Sequence, residues 1–238
     1  MNIIVCENAE ELGEKAAELA AEHLHKQIKR NGSARIIVST GASQFDTFRA
    51  LIASDIEWNK VEMFHLDEYF GLAESHPASF RKYLKERFVS KVNLLGVNFV
   101  EGTAENIQEV SKKLLEKPVD LGIIGIGENA HIAFNDPPAD FETTDPYILV
   151  NLDEACKKQQ VGEGWFATID DVPKQAVTMS VHQILQCKKI ISCVPYAVKA
   201  KAVAATVNND TDNQIPATIL KTHKDWTLLL DKDSAALL

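Results

Sequence analysis

Apolar positions along this chain recur with a helical period in some stretches and cluster in short β-rich runs in others. After an apolar run, Ile3 to Cys6, Asn8 stands three residues before Glu11, close to a capping-box pattern. Leu12, Ala16, Leu19, Ala20 and Ile28 follow near helical spacing as far as Asn31-Gly32. The pattern predicts a strand and then a long helix that stops at the glycine. RIIVS (35–39) breaks into Thr40-Gly41-Ala42-Ser43-Gln44, and helical spacing resumes at Phe45, Phe48, Leu51 and Ile52. VEMFHL (61–66) precedes a predicted helix over about 79–89, and a helix over about 104–115 precedes VDLGIIGIG (119–127). KKIISCV (188–194) precedes a helix near 198–207 and a last strand, WTLLLD (226–231).

The strands lack strict alternation and are separated by helices, so the expected fold is α/β: three layers, with a mostly parallel, Rossmann-like sheet covered by helices on both faces. No internal repeat and no linker divides the sequence, and a single domain over 1–238 is expected. Residues 142–172 are irregular and polar, and read as a long lid-like loop.

Composition narrows the partners. Lys+Arg 25 against Asp+Glu 34 gives a net charge of -9 without a long basic run, which argues against nucleic acid. Cys6, Cys156, Cys187 and Cys193 form no CxxC pair and no His/Cys metal spacing, so reduced thiols, a cytoplasmic location and no bound metal are expected. The N-terminus lacks a basic stretch before its apolar run, and no segment approaches ~18 apolar residues, which argues against export or a membrane span.

Open parallel sheets bind ligands beyond the carboxyl ends of their strands. Three loops fall there. In STGAS, Thr40 and Ser43 offer hydroxyls, Gly41 and Ala42 keep the backbone accessible, and a helix start follows, so the loop suits a phosphate or an ordinary turn equally. In HLDEY, Asp67 is either a solvated helix-start acid or a general base aimed into the cleft, with His65 two residues before it. In GIGENAHIAFND, His131 has Asn129 two residues before it and Asp136 five beyond, and that acid can orient the ring only if the chain turns back. No second metal-spaced histidine and no nucleophile elbow accompanies it, so acid–base work is favoured over metal or acyl-enzyme chemistry.

Together, STGAS, FHLDEYFGL, HPASFRKYL, GIGENAHIAFNDP, VPYAVKAKAV and PATILKTHKDWTLLLD, in order from about 36 to 231, resemble the glucosamine-6-phosphate deaminase/isomerase family, whose fold is shared with 6-phosphogluconolactonases. The resemblance implies that His131, supported by Asp136 and Asn129, opens the sugar ring, and that Asp67 moves a proton between C2 and C1. Thr40, Ser43 and Lys199 would hold the phosphate. Ammonia and fructose 6-phosphate would leave, with no cofactor or metal.

This sequence departs from the family pattern in several places. STGASQF lacks a loop proline, Ala130 stands where a glycine is usual, and Asp136 replaces a glutamate. Asn129 stands where many members have aspartate. No arginine occurs after Arg87, although the family's lid carries one; Lys157 and Lys158 are the nearby cations. The basic residues of an allosteric amino-sugar-phosphate site are absent near 143–150, so no such activation is expected. Two other readings stand beside the deaminase one: a 6-phosphogluconolactonase, disfavoured by DEY and AFND, and a non-catalytic sugar-phosphate sensor. Oligomeric state, including a homo-oligomer, is left open.

Overall fold

The computed structural model describes residues 1–152, 154–162 and 164–238. In its first half the chain runs β1 (Asn2–Cys6), α1 (Ala9–Asn31), β2 (Ala34–Val38), α2 (Phe45–Ala53), β3 (Val61–His65), β4 (Asp67–Tyr69), α3 (Phe80–Arg87), β5 (Gly96–Asn98) and α4 (Ala104–Leu115). It continues with β6 (Leu121–Ile123), β7 (Tyr147–Asn151), α5 (Glu154–Gly162), β8 (Gln175–Met179), α6 (Val181–Leu185), β9 (Lys189–Val194), α7 (Ala200–Asn208) and β10 (Trp226–Asp231).

α1 forms where its caps predict. The Asn8 side chain accepts from the N–H of Glu11 at 3.0 Å, and Gly32 ends the helix at φ 80 with its N–H on the Ile28 carbonyl. Glu11 returns its own carboxylate to the N–H of Glu7, so the reciprocal half of the box lands one residue before the cap.

Seven strands pair in the order β1-β10-β9-β6-β2-β3-β5, all parallel. Successive side chains take opposite faces of this sheet. Ile36 and Val38 pack under α1, α2 and α3, whereas Ile37 joins Val110 of α4 and Val203 of α7 in the other core. The expected three layers are therefore present. The order reverses between β2 and β6, and a crevice opens there beyond the strand ends.

Two expectations need correction. The stretch 142–172 is not an unbroken irregular loop, since it contains β7 and α5. β7 pairs antiparallel with β8, and β8 with β4, in a second, three-stranded sheet. β7 buries little beyond Tyr147, and α5 carries few apolar residues, so neither has a strong hydrophobic period. The run 119–127 is ladder-paired only over Leu121–Ile123, because Gly125 and Gly127 belong to the site loop. Among the described residues no helix is long and apolar enough to cross a membrane.

Candidate active site

A cleft of about 350 Å³ lies at the strand reversal and gathers all three predicted loops. Thr40, Gly41, Ala42, Ser43, Asp67, His131 and Lys199 all line it. Asn129 and Asp136 do not; they stand behind the histidine.

The loop after β2 is shaped by Gly41, whose φ of 104 is a conformation that residues with a Cβ rarely adopt. A single 3-10 turn, Ala42–Gln44, then leads into α2. Gln44 fixes the loop by donating to Ser43 Oγ and to the Cys193 carbonyl, both at 3.1 Å. Ser39 ties it to the neighbouring loop, accepting from the N–H of Gly125 at 3.0 Å.

DEY is a short strand of the small sheet and not a helix start. Asp67 and Glu68 sit side by side there with different surroundings. Glu68 is fully buried and accepts from the N–H groups of Tyr69, Phe80 and Arg81, from Ser79 Oγ and from Arg81 Nε. Asp67 is also buried, but its Oδ1 has no hydrogen-bond partner. Burial first, and the Glu68 charge second, push its carboxyl up to about 8. His65 does not line the cleft; its ring packs edge-on against Phe99, and burial, then the charge of Arg81, drive its pKa down to about 3, so it stays neutral.

The chain does turn back after His131. Ala133 at φ 55 and an antiparallel bridge between Ile132 and Asn135 return Asp136 to the ring. His131 Nδ1 lies 3.1 Å from Asp136 Oδ1, within ion-pair range though off the line of a hydrogen bond. Asn129 serves both partners, donating to Asp136 Oδ1 at 3.0 Å and accepting from the His131 N–H at 3.1 Å. Burial alone would raise the Asp136 carboxyl, but the adjacent His131 ring, then donors on Asn129 and Cys156, hold it below the usual carboxylate range. Gly127 makes room for the ring, since a Cβ there would stand 2.2 Å from His131 Cε1 and Nε2. Ala130 has φ 65, so the position does require the left-handed conformation that glycine would adopt freely.

Sequence reasoning missed several cleft residues, among them Tyr83, Phe134, Gln160, Trp165 and Tyr196. Gln160 and Trp165 come from α5 and the turn after it, where no period marks a buried face. Lys158 pairs with Glu154 at 3.5 Å on the exposed side of α5, and neither it nor Lys157 lines the cleft. Lys199 is therefore the one lysine or arginine among the described cleft residues. All four cysteines are buried thiols outside any disulfide, and among the described residues no group of three or more His, Cys, Asp or Glu side chains is placed to hold a metal ion.

An open parallel sheet with a ligand cleft at its strand reversal places the molecule among the α/β ligand-binding proteins. The family model of glucosamine-6-phosphate isomerases/6-phosphogluconolactonase matches residues 7–229, and the chain belongs to that family. It is 32% identical to glucosamine-6-phosphate deaminases of Thermoanaerobacter sp. (strain X514) and of Streptococcus pneumoniae serotype 4 (strain ATCC BAA-334 / TIGR4). Those matches cover 100% of this chain and 95% and 100% of the two relatives. The solved structure of a monomeric glucosamine-6-phosphate deaminase superimposes with a TM-score of 0.88 at 28% identity, covering 100% of both chains. A 6-phosphogluconolactonase from Shewanella baltica OS155 shares the fold, with a TM-score of 0.79 at 17% identity over 97% of each chain.

Proposed function

We propose that the protein deaminates glucosamine 6-phosphate, or a close amino-sugar phosphate, to fructose 6-phosphate and ammonia. The observation that carries this reading is the meeting in one cleft of a hydroxyl-bearing loop, a desolvated carboxylate and an imidazole backed by an acid. The deaminase relatives, similar over the full chain, supply the substrate class.

The phosphate sits on the Thr40–Ser43 loop, where the first turn of a helical segment leaves N–H groups without intrahelical partners, and Lys199 adds a positive charge. The sugar ring then reaches toward Asp67 and His131. His131 takes the proton of the O1 hydroxyl and returns it to the ring oxygen as the C1–O5 bond breaks. Asp136 steadies the positive charge that the ring carries in between, and Asn129 keeps the two aligned.

Asp67 next removes the proton from C2 and delivers it to C1. With a pKa of about 8 it is mostly protonated in the empty cleft at neutral pH, and the ammonium on C2 of an arriving substrate favours its ionised form. The ammonium gives up a proton and O1 gains one as the enolamine forms, and protonation of C1 turns the enolamine into a C2 iminium. Water adds to C2, the C–N bond breaks, and ammonia leaves with the ketose. Every step is a proton transfer, a hydration or a bond cleavage that a proton transfer assists.

The test is ammonia release from glucosamine 6-phosphate by purified protein, with His131→Ala beside it. Release by wild type and a loss of ~100-fold or more in the variant is expected. Well-folded wild type that releases no ammonia from any amino-sugar phosphate would sink the proposal.

A further inference from the structure

A sugar phosphate spans a fixed distance between its reacting carbons and its phosphate, so a site for one must hold two groups at a matching separation. Here those groups lie on different segments, Asp67 on β4 and the Thr40–Ser43 loop after β2. α3 is bonded to both. At its start, Ser79 Oγ and the N–H groups of Phe80 and Arg81 donate to Glu68, the neighbour of Asp67, at 2.9, 3.2 and 3.0 Å. One turn further, the buried Tyr83 donates its hydroxyl to the Gly41 carbonyl at 2.7 Å.

The far contact is braced. The Tyr83 ring stacks on Phe45 at the start of α2, with centroids 5.9 Å apart and planes 18° from parallel. Arg87, a turn after Tyr83, lies over the Phe45 ring at 4.0 Å. Gly41, by contrast, has the widest conformational freedom of any residue, and the peptide that follows it can rotate unless something holds its carbonyl. A peptide free to turn would at times present its carbonyl oxygen to a phosphate dianion. Two donors prevent this, the Tyr83 hydroxyl and the N–H of Gln44 at 3.1 Å.

We propose that α3 is a strut between the two ends of the site, and that Tyr83 is a positioning residue which sets the phosphate loop by holding the Gly41 carbonyl. The proposal rests on the reading of this cleft as a sugar-phosphate site. Tyr83 acts through the loop and moves no proton; burial raises its phenol further above the ordinary value, so the hydroxyl stays a donor throughout the working pH range.

Tyr83→Phe removes the hydroxyl and keeps the ring stack. The expected result is a KM for glucosamine 6-phosphate raised roughly fivefold, the equivalent of one hydrogen bond, with kcat within about twofold of wild type. The inhibition constant of inorganic phosphate should rise by the same factor. Unchanged KM and unchanged phosphate inhibition, or a fall in kcat alone, would overturn the proposal. Direct titration of both proteins with inorganic phosphate separates this from the deaminase reading, because it needs no turnover. Wild type that binds phosphate but releases no ammonia would remove the activity and leave the strut to be judged on phosphate affinity. Wild type that binds neither phosphate nor sugar phosphate would overturn both.

Discussion

The two ends of the parallel strands handle buried charge in opposite ways. At the amino ends, Arg35 directs Nε at Glu62 at 2.8 Å and one terminal nitrogen at the carbonyls of Lys113 and Leu114 in the last turn of α4 and of Lys117 just beyond it. Asp120 accepts from the Arg35 N–H at 2.8 Å and from Lys188 Nζ at 2.7 Å. At the carboxyl ends, Asp67 has a carboxylate oxygen with no partner, and Ala130, Ala133 and Tyr196 all hold positive φ. One edge satisfies its charges and so contributes to stability. The other leaves a buried carboxyl oxygen without a partner and holds backbone in sparsely populated conformations, as functional sites do.

The largest expected effect comes from the unsatisfied group. Asp67→Asn should lower kcat by roughly 1,000-fold, within the range for a removed general base. Its effect on stability runs the other way. The folded carboxyl titrates near 8 and the ordinary value is 3.8, so between those limits the folded protein keeps a proton that the unfolded chain has released. Wild type should therefore lose stability as pH rises from about 4 through 8, and the variant should lack that slope. kcat/KM of wild type should climb over the same limb as the base ionises. Thermal melts and kinetics from pH 4 to 9 decide the matter; parallel melting curves would break the contrast between the edges.

Arg35→Met tests the opposite edge. Removing the buried guanidinium takes a charged donor from half-buried Glu62 and from three backbone carbonyls, a loss of about 1–3 kcal/mol. The carbonyls of Lys113, Leu114 and Lys117 would lose their shared donor together, while Glu62 would keep Asn98 and Lys113 as partners. Urea unfolding should show a loss of that size, while kcat of the folded enzyme stays within about twofold of wild type. A large fall in kcat would mean that the edges are coupled through β2.

How much of this was legible beforehand follows the same division. α1 could be read from Asn8, Gly32 and its apolar stripe, because caps and periodicity are local. The convergence of STGAS, DEY and GENAHIAFND was legible too, because parallel strands bring the loops after them to one edge. The partner of Tyr83 was not, since it lies on a loop 42 residues away and nothing in YLKER announces it. The different fates of Asp67 and Glu68 were also hidden, because adjacent acids differ here only in which N–H groups the turn into α3 brings close. Gln160 and Trp165 were missed because neither α5 nor the turn after it carries an apolar stripe to reveal the face that meets the cleft.

The smallest effect sharpens the contrast most. At Ala130 the left-handed conformation costs an alanine about 1–2 kcal/mol relative to its preferred one. Its methyl, however, is almost wholly buried, which is worth about 0.8 kcal/mol, and glycine would add about 0.4–1 kcal/mol of unfolded-chain entropy. These terms nearly cancel, so Ala130→Gly should change stability by less than about 1 kcal/mol in urea titration. Alanine is tolerated at this position because its core contact offsets the strain. A gain above about 2 kcal/mol would mean that the turn before His131 stores more strain than one dihedral, and that holding the imidazole against Gly127 accounts for the rest.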